Sequence, residues 1–524
     1  MRRMGRTSRA LLAALALVVA APAAATGAPA PERDQGHRAI TPLDAVQSDS
    51  VVDKYGVGIH LNFLNTPYRD ADAVAGALAD LGVRHVRDDL YLDSPREYAA
   101  IRTVADRGIG FDLIMGRPGG DADPSDYVRT IASELPADAV ESVEGANEWD
   151  LVGGDDWVDQ ARSWQQRLYD ATKRNDATED LPVLSPALAF RWNYADLGDL
   201  SSMADVANAH MYPGGYQPSN EIGAITRAVR RSMPTQPLIT TEAGYHNALG
   251  TSASHRPVPE DVAGTYLPRL LLEHVARGEQ RMYSYELIDS FDDRDGTNVE
   301  AHFGLLRHDL SPKPAYTAMK NLLALLADPG PAFAPDSLAI SADGLPGDAR
   351  YLLTQQRDGR FVLLLWRDVS IWDPDRQQAV AVTPADVTVR LDLPHDLTVY
   401  RPTDGAEPVR ERVGTTVPVT LDGEVTAITI DPTDPGRVPS APGIAKVTPG
   451  RGRVTVAWTP ADGYGRAVTA YRLRAGGRTV TTGGHATRAT IRRLTAGQRV
   501  RVRIQAKNAL GWGPMVRTRA VRIR

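Results

Sequence analysis

The chain has 524 residues with 59 Lys and Arg against 65 Asp and Glu, a net charge of −6, and no cysteine. A chain of this length is expected to form roughly two to four domains, with cores large enough to fold without cross-links. The cysteine count excludes disulfides and thiolate metal sites.

The first element is an address. Arg2, Arg3, Arg6 and Arg9 precede an apolar run from Leu11 to Ala20, and Ala23-Ala24-Ala25 and Ala28-Pro29-Ala30 both offer small-residue cleavage sites. This pattern predicts a signal peptide over residues 1–30 and an exported mature chain. The run is too short to act as a membrane span, and no later stretch is long and apolar enough to be one. Without those four arginines the mature chain carries about −10. Residues 441–524 hold 18 Lys and Arg against one acid, Asp462, a local net of +17 that leaves the mature residues before them near −27. An acidic body is joined to a basic tail.

Between residues 55 and 325, short apolar runs alternate with amphipathic segments. The strand candidates are 55–60, 83–87, 111–115, 140–145, 183–189, 206–212, 238–245 and 282–288. Ala73, Ala77, Leu78 and Leu81 recur at helical spacing, as do Trp164, Leu168, Ala171 and Thr172. This rhythm predicts a (β/α)₈ barrel over residues 50–327. A doubly wound sheet is the alternative, but no Gly-rich phosphate loop follows the first strand. Residues 333–433 then show alternating runs between Asp-, Gly- and Pro-rich turns, which predicts an antiparallel β-sandwich. Pro432, Pro435, Pro439 and Pro442 mark an extended linker centred on residues 434–441.

The last segment, 442–524, is a further small β domain. Val454-Thr455-Val456-Ala457-Trp458, Ala470-Tyr471-Arg472-Leu473, Val500–Ala506 with Asn508, Leu494-Thr495-Ala496-Gly497 and Gly511-Trp512-Gly513 together resemble a fibronectin type III module. Val500 departs from that pattern, standing where the family has its corner tyrosine. In Arg499-Val500-Arg501-Val502-Arg503-Ile504, strict alternation places the arginines on one face of a strand, and Arg517, Arg519, Arg522 and Arg524 repeat it. Such a one-signed surface predicts docking on a polyanion, an acidic cell-wall or extracellular polymer. The chain's own acidic barrel is the rival partner.

In a barrel of this kind the C-terminal strand ends face the active site. The fourth strand runs into Gly145-Ala146-Asn147-Glu148-Trp149, and the seventh contains Thr240-Thr241-Glu242-Ala243-Gly244-Tyr245. An Asn-Glu pair after strand four with a Glu at strand seven resembles glycoside hydrolase clan A, and most closely its β-xylosidase and α-L-iduronidase family. Taken singly, such an acid is more often a helix N-cap or first-turn charge; together, on those two strands, the pair carries the resemblance. It implies a retaining glycosidase in which Glu148 is the acid/base and Glu242 the nucleophile, with carboxyl groups about 5–5.5 Å apart. It further implies that Asn147 binds the sugar 2-hydroxyl, that His210 and Tyr212 orient the nucleophile, and that Arg87 keeps it ionised. His60 and Asn62 close the first strand, where a structural histidine is the even alternative. Trp149, Trp192, Tyr216 and Tyr245 are expected on loops at the same face, for sugar stacking or for packing. Where the clan places a tryptophan after strand eight, this chain has Tyr285-Glu286. Tyr285 is expected to supply the platform, and Glu286 either to recognise hydroxyls or to pair with a base such as Arg87.

No His-x-His, His-Glu-x-x-His, calcium loop or Gly-x-Ser-x-Gly is present, so neither metal nor cofactor is expected. The expected partner is a poly- or oligosaccharide, with no nucleic acid and no membrane span. A glycan-binding barrel without catalysis, displayed by the tail, is the second reading, and a transglycosylase the third. Sugar, linkage and endo or exo action fall to the loops at 190–200, 213–222 and 246–262.

Overall fold

A computed structural model describes residues 42–251, 255–432, 438–463, 468–508 and 511–524. The expected signal peptide, and the part of the expected linker that holds Pro435, lie outside them.

Eight parallel strands form one sheet: β1 (Tyr55–Gly58), β2 (His85–Asp89), β3 (Gly110–Ile114), β4 (Val140–Glu144), β5 (Val183–Leu184), β6 (Ala207–His210), β7 (Leu238–Ala243) and β8 (Arg281–Ser284). β8 pairs with β1, and Leu184 bridges Val206 in parallel, so the sheet closes on itself. Every expected run supplies a strand. β2 and β3 equal their runs in length and are shifted by one or two residues; the other strands are shorter, because the last residues of several runs have already left the ladder to line the barrel mouth.

The strands alternate with helices α1 (Ala71–Leu81), α2 (Pro95–Ala105), α3 (Pro124–Glu134), α4 (Trp157–Arg174), α5 (Ile222–Val229), α6 (Glu260–Ala276) and α7 (Pro314–Leu326). Their ends follow local chemistry. The Asp70 carboxylate accepts from Ala73 N–H to start α1, and Gly82, at φ 86°, ends it in the left-handed conformation that glycine tolerates best. Asp123 and Asp126 form a reciprocal capping box at α3. On α1 the buried stripe is Val74, Ala75, Leu78 and Leu81, rotated from the expected one that included Ala73 and Ala77.

The following β region contains β9 (Ile340–Asp343), β10 (Ala349–Gln355), β11 (Phe361–Arg367), β12 (Ala385–Tyr400), β13 (Arg410–Leu421) and β14 (Thr426–Ile430). These belong to one continuous sheet rather than the two expected from the sequence. The long strand β12 pairs β9 through its first half and β14 through its second, with a register shift between Arg390 and His395 against β13. Val46–Gln47, from before the barrel, adds a parallel edge strand to β10, so the chain visits this sheet before it enters the barrel.

β11 explains how the two regions join. Phe361, Leu363 and Leu365 belong to the core of the β region, whereas Val362, Leu364 and Trp366 belong to the barrel's core. A continuous apolar run is what a strand buried on both faces requires. Trp366 Nε1–H donates to Glu273 Oε1 on α6 at 2.8 Å, and Arg269 of α6 donates to the carbonyls of Gly423 and Val369 at 3.0 and 2.7 Å.

The C-terminal residues form a separate two-layer unit. One layer is β15 (Gly443–Gly450), β16 (Arg453–Thr459) and β19 (Arg488–Arg492); the other is β18 (Arg478–Gly483), β17 (Ala470–Ala475) and β20 (Arg503–Asn508), extended by Gly511–Trp512 and Val516–Arg517. Val454, Val456, Trp458, Tyr471, Leu473, Ile491 and Ile504 fill the space between them. Val500 is buried in that core and pairs with Val521. Among the described residues no helix is long and apolar enough to cross a membrane.

Candidate active site

Arg87 lies within β2 and is almost fully buried. A guanidinium is stable there only when its donors are matched by acceptors. Its Nε and Nη2 donate to Glu144 Oε1, the former at 3.0 Å; Nη2 also reaches Asn147 Oδ1 at 2.8 Å, and Nη1 reaches Glu242 Oε1 at 2.7 Å. Glu144 ends β4, and its second oxygen accepts from Asn208 Nδ2 at 2.9 Å; Asn208 Oδ1 in turn accepts from the Thr241 hydroxyl at 2.7 Å. This chain of bonds ties β2, β4, β6 and β7 together beneath the mouth.

Glu242 sits within β7, and its other oxygen accepts from Tyr212 Oη at 2.8 Å. Burial would raise its pKa. The charges of His210 and Arg87, with hydrogen bonds from Tyr212 and Arg87, outweigh burial and hold it below the ordinary glutamate value. Gly244 follows at φ 154°, where a Cβ would meet the Tyr285 carbonyl oxygen at 2.8 Å, so the chain beyond Glu242 approaches the β8 loop closely.

Glu148 stands at the head of a short helix, Trp149–Val152, in the left-handed conformation, φ 45°. A non-glycine residue there costs on the order of 1 kcal/mol or more and persists where the surroundings enforce it. One enforcing contact is Glu148 N–H donating to Ala187 O at 3.0 Å. The Glu148 carboxylate bonds His210 Nδ1 at 2.7 Å, and the same nitrogen lies 3.4 Å from Glu242 Oε2. His210 therefore bridges the two glutamates, rather than serving the expected nucleophile alone. Burial lowers its pKa, but Glu242 and Glu148 more than compensate and raise it. One ligating atom each of Glu148, His210 and Glu242 lie within 4.8 Å of one another. Such a trio can in principle take a metal ion, but Arg87 already pairs with Glu242, and a cation placed there would meet a guanidinium.

On the β8 side the structure favours the second expectation for Glu286. It is fully buried and pairs with a base, which is His60 and not Arg87. It accepts from Tyr68 Oη at 3.0 Å, lies 3.2 Å from His60 Nε2, and accepts from the Ser290 hydroxyl. Buried behind Tyr68 and His60, it is placed to hold the mouth together rather than to present an open carboxylate to a hydroxyl. Burial opposes charge on His60, but Glu286 raises its pKa to about 9. His60 also stacks on Phe63 and meets Tyr285 edge-on, with centroids 4.6 and 5.6 Å away. Tyr285 is half-buried, with its hydroxyl donating to Glu300 Oε2 at 3.2 Å. Burial, together with the nearby charges of Glu286 and Glu242, pushes Glu300 up to about 7.

The aromatic residues divide. Trp149 is buried with its Nε1–H donated to Gln160 at 2.8 Å, so it packs beneath the mouth and is not an open platform. Tyr245 is buried and donates to Tyr216 O. Tyr216 donates to Asp375, in the hairpin Trp372–Ala379 of the following β region. Trp192 alone of the four is an open ring, 59% exposed and stacked on Phe190 at 5.0 Å. Its loop is pinned by Asp150, which accepts from Ala189 N–H, Phe190 N–H and Asn193 Nδ2.

Glu144, Asn208, Glu300 and Asp150 were not singled out by sequence. Asn208, between Ala207 and Ala209, is a buried polar residue amid small apolar ones, and that mismatch was its available signal; Glu144 ends a strand that already carries Glu141 and Ser142, which masked it. Glu300 and Asp150 left none, because loop geometry places them.

No family model and no curated protein matches the sequence. Solved structures do match. A family 39 glycoside hydrolase from Bacteroides cellulosilyticus WH2 superposes with a TM-score of 0.53 at 17% identity, covering 74% of this chain and 82% of that one. A monomeric β-xylosidase from Caulobacter crescentus CB15 gives 0.52 at 14% identity, covering 74% and 97%. A family 39 enzyme from Xanthomonas axonopodis pv. citri gives 0.50 at 16% identity, covering 75% and 96%. At these identities the likeness establishes the fold: a parallel eight-stranded barrel followed by a β-rich region.

Proposed function

We propose that this chain is an exported retaining glycoside hydrolase in which Glu242 is the nucleophile and Glu148 the acid/base. The observation that carries the reading is the spacing of two glutamates from opposed strands, with carboxylate oxygens within 4.8 Å of each other across His210. Inversion needs room for a water between carboxyl groups roughly 6.5–9.5 Å apart, whereas direct attack needs roughly 5–5.5 Å. The environments differ in the useful direction. Glu242, with 11% of its side chain exposed, is held ionised by Arg87 and His210; Glu148 is 25% exposed, open to a leaving group and to water.

In this mechanism Glu242 attacks the anomeric carbon as Glu148 protonates the departing oxygen. Glu148, now a carboxylate, takes a proton from the water that displaces Glu242. Asn147 Oδ1 is held by Arg87, which orients the rest of the amide toward the sugar at the strand-four side. The substrate class is an O-linked oligo- or polysaccharide, a reading supported by the similar solved structures named as a family 39 glycoside hydrolase and a β-xylosidase. The reading includes a fibronectin type III topology for the C-terminal unit, supported by its three-stranded and larger facing sheets.

The test is hydrolysis of a panel of glycans and aryl glycosides by the mature chain. Glu242→Gln is expected to lose at least about a thousandfold in kcat. Glu148→Ala is expected to lose far less on aryl glycosides with good leaving groups, which need no protonation, than on natural glycans. Binding without turnover, equal in wild type and both variants, would instead establish the glycan-binding reading.

A further inference from the structure

The C-terminal unit has a second surface whose chemistry the hydrolase reading does not use. Register places Arg474 opposite Arg503, and Arg503 opposite Arg517, on three adjacent strands. Directly opposed residues point to the same face, and like charges there are destabilising. Arg472 lies two residues before Arg474 on that face, over the ring of Trp512 at 4.1 Å, and Lys507 approaches the same ring at 5.8 Å. Arg499 opposite Arg522, and Arg453 opposite Arg492, repeat the like-charge arrangement elsewhere on the unit.

Nothing among the described residues offsets this row. Among the described residues none of Arg472, Arg474, Arg503, Lys507 or Arg517 has an ion-pair partner, and the buried Nε of Arg472 has no hydrogen-bond acceptor. Asp462 is the only acid in residues 441–524. Arg474, Arg503 and Arg517 are exposed, whereas Leu473 and Ile504 between them fill the core, so the sheet holds its guanidinium groups in fixed order.

We propose that this face binds a linear polyuronate, a polysaccharide with a carboxylate on each sugar. Guanidinium groups pair with carboxylates through two parallel hydrogen bonds. Adjacent strands lie about 4.8 Å apart, close to the length of one pyranose unit, so the Arg474–Arg503–Arg517 row meets successive carboxylates. Trp512 holds the Arg472 guanidinium at the end of the row. The site lies on a different unit from Glu148 and Glu242, and its occupancy does not depend on turnover.

The experiment is affinity electrophoresis of the mature chain through gels containing polygalacturonate, polyphosphate or neutral dextran, with no activity read. Polygalacturonate is expected to retard the wild type, with affinity falling at least about tenfold as salt rises from about 50 to about 300 mM. The triple variant Arg474→Ser, Arg503→Ser, Arg517→Ser is expected to weaken at least about tenfold. Arg474→Lys, Arg503→Lys, Arg517→Lys keeps the charge but not the paired bonds; it is expected to remain retarded, less strongly than the wild type and more strongly than the serine variant, which separates lost charge from lost folding. Equal retardation of wild type and the serine variant, retardation by polyphosphate alone, or no retardation at low salt would each overturn the proposal.

Discussion

Arg87 is where the charges of the mouth meet: it faces Glu144, Glu242 and Asn147 together. Replacing it with glutamine removes a positive charge 2.7 Å from Glu242 while keeping a donor. Glu242 is ionised above its pKa, and Arg87 helps to hold that pKa below the ordinary value. Without the guanidinium the pKa rises, so Glu242 becomes protonated at higher pH. The acidic limb of kcat/KM is therefore expected to move upward by about one to three pH units in Arg87→Gln. A pH profile on one aryl glycoside checks this, and an unmoved limb would show that Arg87 does not tune Glu242. At this scale the structure brings together residues that sequence placed in or just past a strand: Arg87, Asn147, Glu148, His210, Tyr212 and Glu242 converge. Glu286 does pair with a base, but the base is His60 and not Arg87, and that choice depends on which loops β1 and β8 bring together.

The loop after β5 shows how one element serves another. Asp150, two residues past Glu148, accepts two backbone N–H groups and one side-chain amide from residues 189–193, so the Glu148 turn and the aromatic loop are positioned together. Trp192 is the exposed product of that arrangement. A sugar stacked on its ring gains on the order of 0.5–1.5 kcal/mol. Trp192→Ala is thus expected to raise KM for longer oligosaccharides roughly 2- to 10-fold. The KM of a short aryl glycoside, which does not reach the loop, is expected to stay constant, and an equal change for both substrates would remove Trp192 from the binding surface. Among the four loop aromatics, spacing alone did not distinguish Trp192 from Trp149. Both follow strands, and only the packing of Trp149 against Gln160 and the α4 side separates them.

For the molecule as a whole, the barrel and the following sheet share a core through β11. Trp366 is fully buried in the barrel's core and hydrogen-bonded to Glu273, so Trp366→Ala leaves both a cavity and an unmatched carboxylate oxygen. The expected cost is on the order of 3–5 kcal/mol. It is expected to lower the thermal midpoint of barrel and sheet together; a transition confined to one of them would show that they unfold independently. The hairpin Trp372–Ala379 extends this union to the mouth, where Asp375 meets Tyr216 and Arg256. Sequence by itself determined the eight-run rhythm and the alternation of exposed arginine with buried apolar residues over 499–504, because each is a local periodicity of 2 or 3.6 residues. The single strand expected there is instead split into Arg499–Val500 and Arg503–Asn508, which pair in different sheets. The chain's entry through the β region, the single continuous sheet, the bridging position of His210 and the burial of Glu286 were decided only in the tertiary structure. They depend on pairings between residues far apart in the chain, and no local period encodes those.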